Sequence, residues 1–222
     1  MQLLTEKHST ATMAKAYRFL ARRLASRPST KPMAAEALAI RKELLEADDR
    51  WDECVEARAA STAEIEYLDT RLDVEAKALS RVVLAAVAGD RADPRFVKLF
   101  PTTVTDAMRP VGGDTQDAFV RAMIGRLRND ESVSEWKARA DELEVSANDV
   151  VTAMNSRKAL YVAEQQASND RQLITDRARR EYRLFKSRLE LQFPDDPALV
   201  ESFFKDLSSK SKSDARSESS PE

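Results

Sequence analysis

Glycine, cysteine and histidine are scarce in this chain of 222 residues, which contains four, one and one of them. So few glycines argue against Gly-rich phosphate loops, tight hairpins and most β architectures. The single cysteine, Cys54, cannot form an intrachain disulfide, which fits a reducing compartment, and we expect a cytoplasmic protein. The longest apolar run, Val82 to Ala88, is far too short for a transmembrane helix.

The residue patterns of familiar catalytic sites are also missing. His8 is the only histidine, so a Ser-His-Asp or Cys-His arrangement would need it, and His-rich zinc sites are excluded. Neither a Gly-x-x-x-x-Gly-Lys loop nor a Glu-x-x-His motif occurs. Cys54 falls at a core position, which favours a small buried hydrophobe over a reactive thiol. We therefore expect a non-enzymatic protein without a cofactor or a metal.

Strong helix formers dominate what is present, and they predict an all-α fold. Moving the sequence along itself by 103 residues aligns landmarks of the two halves, for example Arg18 with Arg121 and Asp93 with Asp196. Each half contains a short helix, a long helical stretch, an Asp-Pro break and a short aromatic helix. This order predicts a tandem duplication with pseudo-two-fold symmetry. The predicted parts are a first repeat over 1–104, a second over 105–207, and a disordered Ser/Lys-rich tail over 208–222.

Two short amphipathic helices are predicted, one at the start of each half, over 12–27 and 115–128. Two long stretches, 33–88 and 133–192, contain neither glycine nor proline. The candidate N-caps are Thr10 or Thr12 for the first short helix, Asp114 or Thr115 for the second, and Ser132 with Glu135 as a capping box for the second long stretch.

A heptad pattern runs through both long stretches, apolar at its ends and polar in its middle. One interpretation is two long helices that pack as an antiparallel coiled coil in an elongated bundle. The alternative is two helical hairpins that turn near 59–62 and 167–170, which the usual helix length favours. The unbroken heptad phase favours the long helices. The predicted core positions of the first stretch are Ala37, Ile40, Leu44, Ala47, Trp51, Cys54, Arg58, Ser61, Ile65, Leu68, Leu72, Glu75, Leu79, Val82 and Ala86. Those of the second are Ala140, Leu143, Ala147, Val150, Met154, Arg157, Tyr161, Glu164, Ser168, Arg171, Thr175, Ala178, Tyr182, Phe185 and Leu189.

Aromatic residues follow each Asp-Pro break. Asp93-Pro94 and Asp196-Pro197 are suited to end one helix and to cap the next. The aromatic side chains of these short helices either cover the ends of the bundle or dock a partner. The docking candidates are Phe100, Phe203 and Phe204.

Charge is segregated along the chain. Residues 43–75 contain twelve acids and three arginines, whereas 171–188 contain seven basic residues and two acids. Such stretches favour complementary packing, either within the chain or between subunits.

Three function classes follow from these patterns. The first is a structural, scaffold or adaptor protein that self-associates as a homo-oligomer or binds a protein partner. The second is a nucleic-acid-associated protein that uses the basic helix 12–27 or the stretch 171–188, although the net charge is -2. The third is a peripheral membrane protein that binds through 12–27. The basic candidates for partner binding are Arg18, Arg22, Arg23, Arg177, Arg179 and Arg180.

Overall fold

The computed structural model describes residues 4–109 and 113–206. These residues form seven α-helices and one 3₁₀ helix, and none of them lies in a strand, which confirms the all-α prediction for this part of the chain. In chain order the elements are α1 (Thr10–Ala25), α2 (Lys31–Ala86), α3 (Pro94–Leu99), α4 (Val104–Ala107), α5 (Asp114–Asn129), the 3₁₀ helix η1 (Glu131–Trp136), α6 (Ala138–Gln192) and α7 (Pro197–Ser202). The predicted tail 208–222 lies outside the described residues.

The two long stretches are single helices that pack together. Helix α2 has 56 residues and α6 has 55, and both continue through the positions where hairpin turns were considered. The long-helix prediction is therefore confirmed and the hairpin alternative is wrong. The physical reason is that neither helix contains a glycine, and the one proline in them, Pro32, is the second residue of α2, where its missing N–H removes no helical hydrogen bond. Helix α2 ends just before Ala88 and Gly89, which adopt positive φ angles of 53° and 82°.

The helix caps differ from the predicted ones at three sites. Ser9, not a threonine, caps α1, and its Oγ accepts a hydrogen bond from the Thr12 backbone N–H at 3.2 Å. Gly113 precedes α5 and provides no side-chain cap. Residues 131–136 form the 3₁₀ helix η1, capped by Asp130, so the predicted capping box does not open α6. Serine and aspartate are as competent at N-caps as threonine, so composition alone did not distinguish them.

Both Asp-Pro breaks act as predicted. Asp93 accepts a hydrogen bond from the Arg95 backbone N–H, and Asp196 accepts one from the Leu199 backbone N–H, with a proline opening each helix. Helices α3 and α7 each have six residues, and their first residues lie 103 positions apart.

The chain divides into two compact units. Unit 1 comprises the described parts of 1–53 and 165–222, and unit 2 comprises the described parts of 54–164. Each unit therefore contains a segment of both long helices. The division does not follow the predicted repeats 1–104 and 105–207, which are defined by sequence and stay a prediction.

The core of unit 1 is rich in aromatic side chains. Tyr17 on α1 packs edge-on against Tyr182 of α6 with ring centroids 5.4 Å apart, and Tyr182 packs against Phe204 at 5.2 Å. The Tyr17 hydroxyl donates a hydrogen bond to the Ala178 carbonyl oxygen at 2.5 Å. Burial raises the pKa of Tyr17 above its usual value and raises that of Tyr182 to about 12. Phe185, Leu189 and Phe203 complete this side of the core.

The core of unit 2 is mainly aliphatic. Leu79 and Val83 of α2, Val120 and Leu127 of α5, and Leu143 of α6 are among its buried residues. One polar pair lies inside it, because the Gln116 side-chain amide donates a hydrogen bond to Asp69 at 2.7 Å and both residues are buried.

The predicted heptad frame loses phase near the end of α2. Val82 was assigned to the core, but it is 44% exposed, while its neighbour Val83 is fully buried. Glu75 was likewise assigned to the core, and its neighbour Ala76 is buried instead. A straight helix has about 3.6 residues per turn, so a fixed seven-residue frame drifts about 20° per heptad along it. The end of α6 keeps its predicted frame, since Ala178, Tyr182, Phe185 and Leu189 are all buried.

Candidate interaction surfaces

The described residues contain no group of three histidine, cysteine, aspartate or glutamate side chains arranged to hold a metal ion. Among those same residues, no helix is both long and apolar enough to span a bilayer.

The predicted basic residues of α1 lie on the surface of unit 1. Arg18 and Arg22 are exposed, and no described residue forms an ion pair with either of them. Arg23 is engaged, because its Nε donates a hydrogen bond to the Ser202 carbonyl oxygen at 2.9 Å. The opposite face of α1, including Tyr17 and Leu20, is buried in the core.

Three of the seven basic residues in the 171–188 stretch of α6 pair with acids of α2 inside unit 1. Arg177 forms an ion pair with Glu43, and Arg171 lies 2.7 Å from Asp48 and over the Trp51 ring at 4.3 Å. These contacts agree with the predicted complementarity of the two stretches, here within one chain.

Two further candidate arginines of α6 have different surroundings. Arg179 is paired with Asp176 at 2.5 Å, and its side chain is only 11% exposed. Arg180 is exposed. Among the predicted arginines of α6, Arg180 is therefore the one that is exposed and has no ion-pair partner among the described residues.

The candidate docking aromatics are buried within their own units. Phe100 belongs to the core of unit 2, and Phe203 and Phe204 belong to the core of unit 1. This placement agrees with the interpretation that these rings cover the helical core. Their docking role stays a prediction.

An apolar stripe runs along one exposed face of α2 in unit 2. We define it as Val74, Ala78, Val82 and Ala85, which are all exposed and follow one another at intervals of three or four residues. Such intervals place side chains on one face of a helix. Val74 is 59% exposed. Between this stripe and the start of α6 lies a shallow groove of about 120 Å³, bordered by Arg139 and Glu142.

A second feature of unit 2 is a basic groove between α2 and α6. It has a volume of about 470 Å³, and its lining residues are Arg58, Met154, Arg157, Lys158, Tyr161 and Val162. Arg58 forms an ion pair with Glu164, so its charge is partly compensated. Arg157 and Lys158 are exposed, and no described residue forms an ion pair with them. Tyr161 is 55% exposed although tyrosine has a large apolar ring.

The basic groove begins where helix α5 stops covering α6. Near the C-terminus of α5, Arg128 donates hydrogen bonds to Asp141 and Glu144, both at 2.6 Å. These contacts lower the pKa of Glu144 below its usual value, chiefly through the hydrogen bond from Arg128. At the other end of α5, Gln116 and Met154 line a small cavity. Met154 also lines the basic groove, so the groove continues the surface on which α5 lies.

Sequence reasoning missed both the apolar stripe and the basic groove as surfaces. The heptad frame had already placed Arg157 and Tyr161 in the polar middle of the seam, and this was the available signal for the groove. The stripe was hidden because Val82 had been assigned to the core.

Comparison with known proteins adds no further constraint. The sequence matches no protein-family model and no curated protein, and the fold matches no solved structure.

Proposed function

We propose that this chain is a non-enzymatic helical scaffold that self-associates through helical surfaces. The observation that carries this proposal is the apolar stripe on α2, in which four exposed side chains of one helix face are valine or alanine. Burying valine removes apolar surface from water, and alanine allows a second helix to approach closely. The stripe is therefore suited to a second copy of α2, in an isologous contact of the kind that forms two-fold dimers.

The proposal also includes the finer architecture, in which the chain is a tandem duplication and its long helices run antiparallel as a coiled coil. Support for the duplication comes from α3 and α7, which have the same length and the 103-residue spacing. Further support comes from buried positions that correspond at this spacing. The corresponding buried pairs are Tyr17 and Val120, Leu20 and Met123, Leu24 and Leu127, Ala37 and Ala140, Tyr182 and Leu79, and Phe203 and Phe100.

The order of the ion pairs within each unit supports the antiparallel arrangement. Within unit 1, as the residue number of the acid on α2 increases, the residue number of its ion-pair partner on α6 decreases. This order is expected for two helices that run in opposite directions. Unit 2 has the same order. The pairs are Glu36 with Arg188, Glu43 with Arg177 and Asp48 with Arg171 in unit 1, and Arg58 with Glu164 and Arg71 with Asp149 in unit 2.

Sedimentation velocity of the full chain over a range of concentrations tests self-association. We expect an oligomer that persists at high salt, because burial of the apolar stripe is not screened. Val74→Glu with Val82→Glu is expected to give a monomer, since two carboxylates would then be desolvated in the contact. The matched control is Ala60→Glu with Ala63→Glu, two exposed alanines of the same helix, which should leave the oligomer intact. A wild-type chain that is monomeric at all concentrations would contradict the proposal.

A second candidate function is nucleic-acid binding through α1. It is favoured by the exposure of Arg18 and Arg22 without an acidic partner among the described residues. Binding that weakens steeply with salt, and that Arg18→Ala with Arg22→Ala reduces, would support this function. Membrane binding through α1 has less support, because the apolar face of the helix lies in the core of unit 1.

A further inference from the structure

Helix α5 shows how unit 2 accepts a helix on the surface of α6. Arg128, near the C-terminus of α5, donates a hydrogen bond to Asp141 of α6, whereas Arg121, nearer the middle of α5, donates one to Asn148. The residue number of the partner on α6 rises as the residue number on α5 falls. Helix α5 therefore runs antiparallel to α6. Cationic side chains of α5 contact a part of α6 that contains Asp141 and Glu144. The docking of α5 on α6 therefore depends on charge complementarity as well as on apolar packing.

The same surface of α6 continues past α5 with the opposite charge. Met154, Lys158 and Tyr161 follow one another at intervals of four and three residues, so they share one face of α6. Met154 lies at the end of the α6 surface that α5 covers and at the start of the basic groove. Arg157 and Lys158 give this part of the face two positive charges that no described residue pairs.

The groove also offers apolar contact area. Tyr161 is 55% exposed and Val162 is 66% exposed, and Met154 lies beside them in the lining. Tyrosine and arginine are the residue types that most often contribute strongly to protein interfaces, because they combine apolar area with polar ends. A surface with an apolar floor and basic edges is complementary to a helix with an apolar stripe flanked by acids.

We propose that the basic groove docks an acidic amphipathic helix of a partner protein. The partner helix lies along α6 in continuation of α5. Its apolar residues contact Met154, Tyr161 and Val162, and its carboxylates pair with Arg157 and Lys158. The partner helix is acidic because α6 presents basic side chains in the groove, whereas it presents acidic side chains to the basic helix face of α5. This proposal goes beyond self-association through the apolar stripe, and it does not depend on that contact.

The test uses the full chain and two fluorescein-labelled helical peptides of 18 residues. The acidic probe has leucines on one face, glutamates beside them and alanines elsewhere, and the basic probe has lysine in place of each glutamate. We expect fluorescence anisotropy to show binding of the acidic probe and much weaker binding of the basic probe. Arg157→Glu with Lys158→Glu should weaken the acidic probe at least about tenfold and should strengthen the basic probe, since like charges face each other in the first case and opposite charges in the second.

A matched control separates the groove from general charge attraction. Arg18→Glu with Arg22→Glu makes the same charge change on α1, at exposed residues of unit 1, and should leave both affinities within about twofold. Tyr161→Ala should weaken the acidic probe by roughly tenfold without a change of charge, because an aromatic contact is lost. Circular dichroism melting confirms that each variant is folded, and Arg157→Ala with Lys158→Ala replaces the reversal if that variant unfolds.

Three results would overturn the proposal. The first is an acidic-probe affinity that the groove variants do not change. The second is an equal loss in the α1 control, which would assign the binding to non-specific electrostatics. The third is displacement of the acidic probe by a single-stranded oligonucleotide that binds the groove more tightly, which would assign the groove to nucleic acid. Loss of self-association in the stripe variants with unchanged probe binding would leave the groove proposal supported, so the two proposals fail separately.

Discussion

Tyr17 of unit 1 lies 103 residues before Val120 of unit 2 in the sequence, and both side chains are fully buried. The same contrast recurs at Tyr182 and Leu79. Unit 1 thus fills its core with large rings, several of them in edge-on contact. The core of unit 2 consists mainly of smaller aliphatic side chains.

The core of unit 2 also includes residues from elements other than α2, α5 and α6. Val104 and Met108, in and just after α4, belong to its core, as do Val133 and Trp136 of η1. The comparison shows that two helical cores within one chain can be built from different side chains, one with several aromatic rings and the other mainly with aliphatic residues. The two units should therefore respond differently to the loss of one side chain.

The largest expected effect is the loss of a ring from unit 1. Phe185→Ala should lower the free energy of unfolding by about 3–5 kcal/mol, because it removes a buried ring and leaves a cavity. A change at a fully buried aliphatic residue of unit 2, Val83→Ala, removes two methyl groups and should cost about 2 kcal/mol, from ~0.8 kcal/mol per buried carbon plus a small cavity contribution. Urea denaturation measures both values.

Hydrogen exchange locates these two effects. Phe185→Ala should accelerate exchange in α1, and Val83→Ala should accelerate it in α5, since α1 contributes to the core of unit 1 and α5 to that of unit 2. Equal losses in the free energy of unfolding for the two variants would contradict the expectation that the aromatic core of unit 1 is more sensitive to the loss of one side chain than the aliphatic core of unit 2.

The buried polar pair of unit 2 gives a smaller effect. Gln116 donates a hydrogen bond to Asp69, while Met13, which lies 103 residues earlier in unit 1, is buried and apolar and needs no hydrogen-bond partner. Gln116→Met keeps the side-chain size but deprives the Asp69 carboxylate of this donor, and it should cost about 1–3 kcal/mol. Adding Asp69→Leu should restore most of the stability, because no buried carboxyl group is then left without the hydrogen bond from the Gln116 amide. A double variant no more stable than Gln116→Met, measured by urea denaturation, would show that the hydrogen bond is not the cause.

The smallest effect concerns an ion pair at the surface of unit 2. Lys98 and Ser132 donate hydrogen bonds to Asp130 and lower the pKa of its carboxyl to about 2. A carboxyl whose pKa is lower in the folded chain than the usual value of about 3.9 stabilises the fold above that value, and the contribution is lost as the pH falls through about 2. Asp130→Asn should therefore reduce the urea midpoint at pH 6, and the difference from wild type should shrink towards pH 2.

Unit 1 provides the control for this pH dependence. The residues 103 positions away from Asp130 and Lys98 in the sequence are Arg27 and Glu201, which have reversed charges and form no ion pair with each other in the described part of the chain. Arg27→Ala should leave the pH profile of stability unchanged between pH 2 and pH 6. A midpoint difference for Asp130→Asn that stays constant over this range would show that titration of the carboxyl is not involved.

Much of the fold followed from local signals. The absence of glycine and proline from 33–88 led to a helix of 56 residues, and each Asp-Pro pair opened a short helix at the expected residue. Core positions at the end of α6 were also correct, down to Tyr182 and Phe185. These features depend on backbone chemistry or on short-range periodicity, which one segment carries by itself.

The candidate surfaces could not be derived in the same way. Placing Val82 on the exposed face required the true pitch of α2, because the phase error accumulates over many turns. Finding the basic groove required the position at which α5 ends on α6, and no pattern within α6 itself marks Met154 as that position.

The sequence by itself determined the all-α character, the two long helices, the Asp-Pro helix starts and the segregation of charge along the chain. Only the tertiary structure decided which acids the arginines of α6 meet, which rings are buried, and which faces remain uncovered. The physical reason is that helix formation is governed by neighbouring residues, whereas burial depends on residues far apart in the chain. Arg177 and Glu43 pair, and Lys158 stays unpaired among the described residues, because of where the helices dock.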